Sequence, residues 1–182
     1  MSARGKARKR ALDVLFEADQ RGSDPMSTLR ERSGQAQVPF AEYVFQLVEG
    51  VTTHRVEIDA ILAEYAEGWT LDRMPAVDRT VLRLATYELL FVADVPAGVA
   101  ISEAVGLARD LSTDASPGFV NGLLAKVASV EPARRPTAVD ADAPDEPPDD
   151  PADDPVDDSA HGGADDPADA ALEHPPTRTA TA

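Results

Sequence analysis

Apolar residues that return every third or fourth position from Ala11 to Val130 predict an all-α fold. Two further observations agree. No stretch sustains the two-residue alternation of a half-buried strand, and prolines stand where helices are expected to start or stop: Pro39, Pro75, Pro96 and Pro117. Past residue 135 the pattern ends and Asp and Pro dominate, which marks an acidic C-terminal tail outside the helical part.

The first helix is predicted over about Lys6 to Arg21, ending near Gly22, with Ala11, Leu12, Leu15 and Ala18 as its buried stripe. A short, weakly periodic segment around 25–32 follows, and Ser33 to Pro39 reads as a loop. Phe40, Val44, Leu47, Val48 and Val51 mark a helix entered at Pro39, and Ile58, Ile61, Leu62 and Tyr65 mark another that stops near Gly68. Between Gly50 and His54, one bent helix and two consecutive helices give the same pattern. Pro75, in a first helical turn, opens a helix that runs to about Val92 and is closed by Asp94-Val95-Pro96. It is apolar nearly all round (Val81, Leu82, Leu84, Ala85, Leu89, Leu90, Phe91), as the central helix of a bundle must be. A helix over about Ala100 to Leu111 comes next. The last begins with Ser116 as N-cap and Pro117 at the first helical position, and carries Phe119, Val120, Leu123, Leu124 and Val127. Short connections favour antiparallel neighbours, so two helical subdomains are expected, about 1–68 and 69–131. No repeat of 20 to 50 residues is present.

The formal charge of −16 is unevenly spread. Residues 136–182 hold 14 acidic side chains against Arg178 alone, a net of −13, which leaves −3 for the first 135 residues. All nine aromatic residues precede position 135, and nine of the fifteen prolines follow it. Such a tail has too little apolar surface to offset chain entropy, so 136–182 is expected to be disordered. It is either a solubilising appendage or a tethered competitor for cationic surface at low salt.

The absence of cysteine excludes disulfides and thiolate zinc sites. No apolar run approaches the roughly 18 residues of a membrane span, and the basic N-terminus lacks the apolar segment of a signal peptide, so a cytoplasmic protein is expected. Catalysis finds little support. His161 and His174 fall in the tail, leaving His54 with no cysteine or second histidine to share a metal. There is no Gly-rich phosphate loop and no GxSxG elbow, so neither a metal nor a cofactor is expected. Asp72 and Asp78 flank a helix start and favour its dipole; Glu88 and Glu103 read as surface or structural carboxylates.

The basic N-terminus is the stronger lead. At about 100° per residue, Lys9 and Arg10 fall within about 60° of Lys6, whereas Leu12 and Leu15 lie about 120° to 180° away. Lys6, Lys9 and Arg10 thus share a face opposite the buried stripe, and Arg4 adds to their charge. Arg8 falls on the core line, which means either that the first turn overhangs the bundle or that Arg8 lies in a partner-lined groove. A solvated helix start is the plain alternative. Yet cations there oppose the helix dipole, and no acidic residue precedes Asp13 to relieve them. Such a face neutralises phosphates, the sequence-independent part of nucleic-acid affinity.

Five segments, in order, resemble the NusB family of transcription antitermination proteins. They are RGKARKRALDVLF from Arg4 to Phe16, VDRTVLRLATYEL from Val77 to Leu89, the turn Asp94 to Pro96, AISEAVGLAR from Ala100 to Arg109, and FVNG from Phe119 to Gly122. Their joint occurrence covers nearly all of the helical part and leaves the tail outside. The resemblance implies two perpendicular three-helix bundles and a non-enzymatic activity. The family binds the single-stranded boxA element of ribosomal RNA leader transcripts together with NusE, a small-subunit ribosomal protein. With the other Nus factors it then joins RNA polymerase and suppresses premature termination. By position, the resemblance assigns RNA contact to Arg4, Lys6, Arg8, Lys9 and Arg10, and to a second region from Ser116 to Asn121.

In that second region a capped helix N-terminus offers N–H groups to an anion. Phe119 is either a stacking platform for an unpaired base or a core residue, and Asn121 and Gly122 are open to the reading that they serve helix packing. Gly118 stands where some relatives have a basic residue, so this region carries fewer cations. Relatives occur as monomers and as dimers, which leaves a homodimer open. Two rival classes remain. Some ribosomal RNA cytosine methyltransferases have a NusB-like N-terminal domain, but an acidic tail follows here in place of a methyltransferase fold. The runner-up is a protein–protein interaction module that binds NusE or itself without RNA.

Overall fold

The computed structural model describes residues 2–66 and 68–130. The tail expected to be disordered, 136–182, lies outside the described residues. Those described form seven α-helices and a single 3-10 turn, with no strand among them. The helices are α1 (Ala3–Arg21), α2 (Pro25–Gln35), α3 (Glu42–Thr53), α4 (Arg55–Tyr65), α5 (Ala76–Phe91), α6 (Ala97–Leu111) and α7 (Ser116–Val130), with the 3-10 turn at Leu71–Arg73. No described helix is long and apolar enough to cross a membrane.

Local chemistry sets the ends. Ser2 accepts a hydrogen bond from the Gly5 N–H at 2.9 Å, so α1 begins at Ala3 rather than at Lys6 and the whole basic run is helical. At its other end Gly22 is left-handed (φ 61°) and its N–H returns to the Ala18 carbonyl. The weakly periodic segment proves to be a full helix because Asp24 caps it, accepting from the Ser27 N–H at 2.8 Å, with Pro25 in its first turn. Leu29 and Thr28 bury its inner side, and it runs on to Gln35, shortening the predicted loop.

The open question between Gly50 and His54 resolves as two helices joined by His54 alone (φ −94°, ψ 13°). Its ring stacks on Phe91 with centroids 3.9 Å apart. One turn earlier, a Cβ on Gly50 would lie 2.0 Å from the Tyr87 ring, so glycine is what lets α3 and α5 meet there. Pro75 sits just outside α5 and not within its first turn. Pro96 stands directly before α6, which starts at Ala97, three residues earlier than predicted.

Twelve of the sixteen residues of α5 are buried, which makes it the central helix. It packs on α1, α3, α4, α6 and α7. Helices α1, α2 and α3 contact one another as one three-helix group, and α5, α6 and α7 form a second. Helix α4, which falls in the expected subdomain 1–68, lies mainly against α5 and α7. Leu12 and Leu15 of α1, Leu82 and Leu89 of α5, and Leu124 of α7 belong to one continuous core.

Charged groups cross this core as well. Asp19 of α1 accepts from Arg79 Nη2 at 2.6 Å and has Arg55 and Arg83 within 3.5 Å. Asp59 of α4 takes two hydrogen bonds from Arg83, 2.6 and 2.9 Å. Burial works against the Asp19 carboxylate, but the hydrogen bond and charge of Arg79, with Arg83 and Arg55, outweigh it and hold its pKa below the usual carboxylate range.

Candidate nucleic-acid interface

Four of the five N-terminal cations lie outside the core. Lys6 is exposed and makes no ion pair with a described residue. Lys9 Nζ is 3.2 Å from Asp13 one turn along. Arg10 has its guanidinium carbon 5.2 Å from the centre of the Phe40 ring. Arg4 pairs with Asp94 and lies 5.1 Å above the Tyr43 ring. The face deduced for Lys6, Lys9 and Arg10 is therefore present, with Phe40, just ahead of α3, and Tyr43, in its first turn, as aromatic rings beside it.

Arg8 requires a correction. It neither overhangs the bundle nor lines a groove: it is 2% exposed and sits on the core side of α1. Its Nε donates to both oxygens of Glu88, at 2.9 and 3.0 Å, and Glu88 is 1% exposed in the middle of α5. Tyr43 donates its hydroxyl to the same carboxylate, and Glu103 of α6 lies 3.6 Å from Arg8 Nη1. Burial followed by the Glu88 bond raises the Tyr43 pKa, so the phenol stays a donor. A buried carboxylate demands a cation, and Arg8 answers it, which removes Arg8 from the surface set. The signal was in the sequence: Glu88 interrupts a helix apolar nearly all round, and Arg8 falls on the core line of α1.

At the start of α7 a recess of about 300 Å³ opens between Trp69, Met74, Phe119 and the first turn of α5. Trp69 is 53% exposed, and its ring centre is 6.3 Å from that of Phe119. Beyond Phe119 lies a second recess of about 290 Å³, walled by Tyr65, Gly122 and Lys126, with the Lys126 ammonium 5.9 Å from the Tyr65 ring centre. Phe119 packs against the core edge and is half-buried, so it serves the core and lines both recesses.

Ser116 also departs from expectation. It is the first residue of α7, buried, and its hydroxyl donates to Asp78 Oδ2 at 2.8 Å while accepting from the Thr113 N–H at 3.3 Å. Its side chain ties α7 to α5 and does not face outward. Asp78, also buried, contributes to the lining of the first recess, and its Oδ1 has no hydrogen-bond partner among the described residues. Asn121 is exposed on α7. Gly122 has nothing within 4 Å of an added Cβ, so close helix packing does not explain it; it opens the second recess.

Sequence reasoning passed over Trp69, Tyr65 and Lys126, and it gave Asp78 only a dipole role. Trp69 had a usable signal, a lone tryptophan beside Gly68 at a helix stop. The others converge only through the packing of α4, α5 and α7. No group of three or more His, Asp or Glu suited to a metal occurs among the described residues.

The chain carries a cationic face on α1 and aromatic recesses beside α7, and its relatives match about three quarters of its length. It is 56% identical over 131 residues to the transcription antitermination protein NusB of Kineococcus radiotolerans, covering 72% of this chain and 96% of that one. To the NusB of Saccharopolyspora erythraea it is 58% identical over 139 residues, covering 75% and 94%. Among solved structures, T. maritima NusB superposes with a TM-score of 0.65 at 33% identity, covering 71% of this chain and 92% of that one. A chain from the crystal structure of antitermination factors NusB and NusE in complex with dsRNA gives 0.64 at 30% identity, covering 71% and 98%. The profile of the NusB family matches residues 5–129, and the chain belongs to that family.

Proposed function

We propose that this protein is a transcription antitermination factor that binds the boxA element of ribosomal RNA leader transcripts together with NusE and supports processive transcription of rRNA genes. The observation that carries the RNA-binding part is the pair of recesses about Phe119. An unpaired base placed beside Trp69 and Phe119 has aromatic surface to stack on. Lys6, Lys9, Arg10 and Arg4 supply the phosphate-neutralising face, and Asn121 adds an exposed amide. NusE and the other Nus factors on RNA polymerase are the partners of this reading, which is supported by the antitermination relatives and by the NusB–NusE–RNA structure.

The activity is binding, not catalysis: every residue named holds RNA or holds another residue in place. A protein acting on nascent transcripts works in the cytoplasm. The test is affinity for a boxA-type RNA oligonucleotide, with and without NusE, over a range of salt. Phe119→Ala should weaken binding by about five- to 150-fold, the value of roughly 1–3 kcal/mol for one stacked base, while NusE binding persists. Wild-type protein that binds NusE but shows no salt-dependent RNA affinity would establish the alternative, an interaction module without RNA.

A further inference from the structure

The cations of the α1 face are held in different ways. Lys9 and Arg4 have carboxylate partners, Asp13 and Asp94, which occupy some of their donors and offset their charge. Arg10 has no ion pair with a described residue; its guanidinium lies on the Phe40 ring, 5.2 Å from the centroid. The distinction is chemical. A ring in contact with the guanidinium steadies it without offsetting its charge, since it brings no carboxylate. Phe40 is itself held: Pro39 restricts the backbone before it, and its ring packs against the core edge just ahead of α3.

We propose that Phe40 is a positioning residue for RNA binding, a platform that pre-orders the Arg10 guanidinium for a phosphate without neutralising it. This rests on the reading of α1 as the RNA-facing helix. An arginine loose in solution loses side-chain freedom when it grips a phosphate, whereas one already held against a ring loses less. Removing the ring therefore costs affinity although the ring need not touch the RNA.

The experiment compares wild type, Phe40→Leu, Phe40→Tyr, Arg10→Ala and the double variant Arg10→Ala/Phe40→Leu for binding to a boxA-type RNA oligonucleotide over a salt series. Circular dichroism and thermal midpoints confirm folding; should Leu lower the midpoint, Phe40→Met takes its place. Phe40→Leu is expected to weaken binding about three- to tenfold with an unchanged salt slope, since the same phosphates are neutralised, and Phe40→Tyr to match wild type. Arg10→Ala should flatten the slope by about 0.7, one phosphate on a single strand, and Phe40→Leu should add nothing in that background. In the free protein, the ring-current shift of the Arg10 Nε–H should vanish in Phe40→Leu. If Arg10→Ala weakens binding while Phe40→Leu does not, the positioning role is wrong. If Phe40→Leu weakens binding equally with and without Arg10, Phe40 touches the RNA itself and the proposal is overturned. If Arg10→Ala changes nothing, the reading of α1 as the RNA-facing helix fails first.

Discussion

Arg8 and Glu88 show how one residue can belong to the motif of a surface and to the interior of the fold. Both are removed almost wholly from water, and Tyr43 completes the coordination of the carboxylate. Such a pair contributes little net stability over a well-packed apolar pair, because desolvating two ions offsets most of their attraction. Breaking it is another matter. Glu88→Ala should destabilise the protein by about 3–5 kcal/mol by leaving the buried Arg8 cation with only the more distant Glu103 carboxylate, whereas Arg8→Met/Glu88→Leu should recover most of that loss. Urea midpoints for the three proteins check this; a Glu88→Ala midpoint near wild type would mean that Arg8 swings out to water. The outward cations were legible in the sequence because local helix geometry alone decides where Lys6, Lys9 and Arg10 point. For Arg8 the sequence showed its place on the core line but not its partner, a carboxylate 80 positions away.

Between elements, the second set of charges joins α1, α4 and α5 through Asp19 and Asp59. The Asp19 pKa lies below its ordinary value near 3.8 in the folded chain. Its contribution to stability is therefore complete above the unfolded-state pKa and is lost as pH falls through the folded one. Wild-type stability should decline from about pH 5 downward. Asp19→Asn should lose about 1–3 kcal/mol at neutral pH, the value of hydrogen bonds to a charged group, and should decline less steeply in acid. Chemical denaturation from pH 7 to pH 2 provides the comparison; parallel curves for the two proteins would show that Asp19 does not carry the acid sensitivity. Elements marked by continuous apolar pattern were readable in advance: α5 from its apolar circumference and the inner stripe of α1 from its spacing. Those fixed by polar caps or tertiary contact were not. The Asp24 cap makes a helix of a segment with only Leu29 and Thr28 fully buried, and the packing of α4 on α5 and α7 has no trace in the α4 sequence. The recesses follow the same rule, because Trp69, Asp78 and Phe119 come from three separate segments.

For the whole molecule, the decisive quantity is where the charge sits. Residues 136–182 carry −13 of the total −16, covalently attached to a chain whose proposed ligand is itself a polyanion. Like charges lower the local concentration of RNA and oppose its approach, an effect that acts through space and needs no fixed geometry. Salt limits its range: the Debye length is about 10 Å at 0.1 M and about 3 Å at 1 M. A chain ending at residue 135 should therefore bind a boxA-type oligonucleotide several-fold more tightly than the full chain at about 50 mM salt, with the gain coming mainly in the association rate. The gain should be larger for RNA of unrelated sequence, whose affinity is nearly all electrostatic. It should fade as salt approaches about 1 M. Stopped-flow association and equilibrium titration of both chains across that range make the comparison. Equal affinity and equal association rate at low salt would remove the tail from RNA recognition and leave it the role of a solubilising appendage.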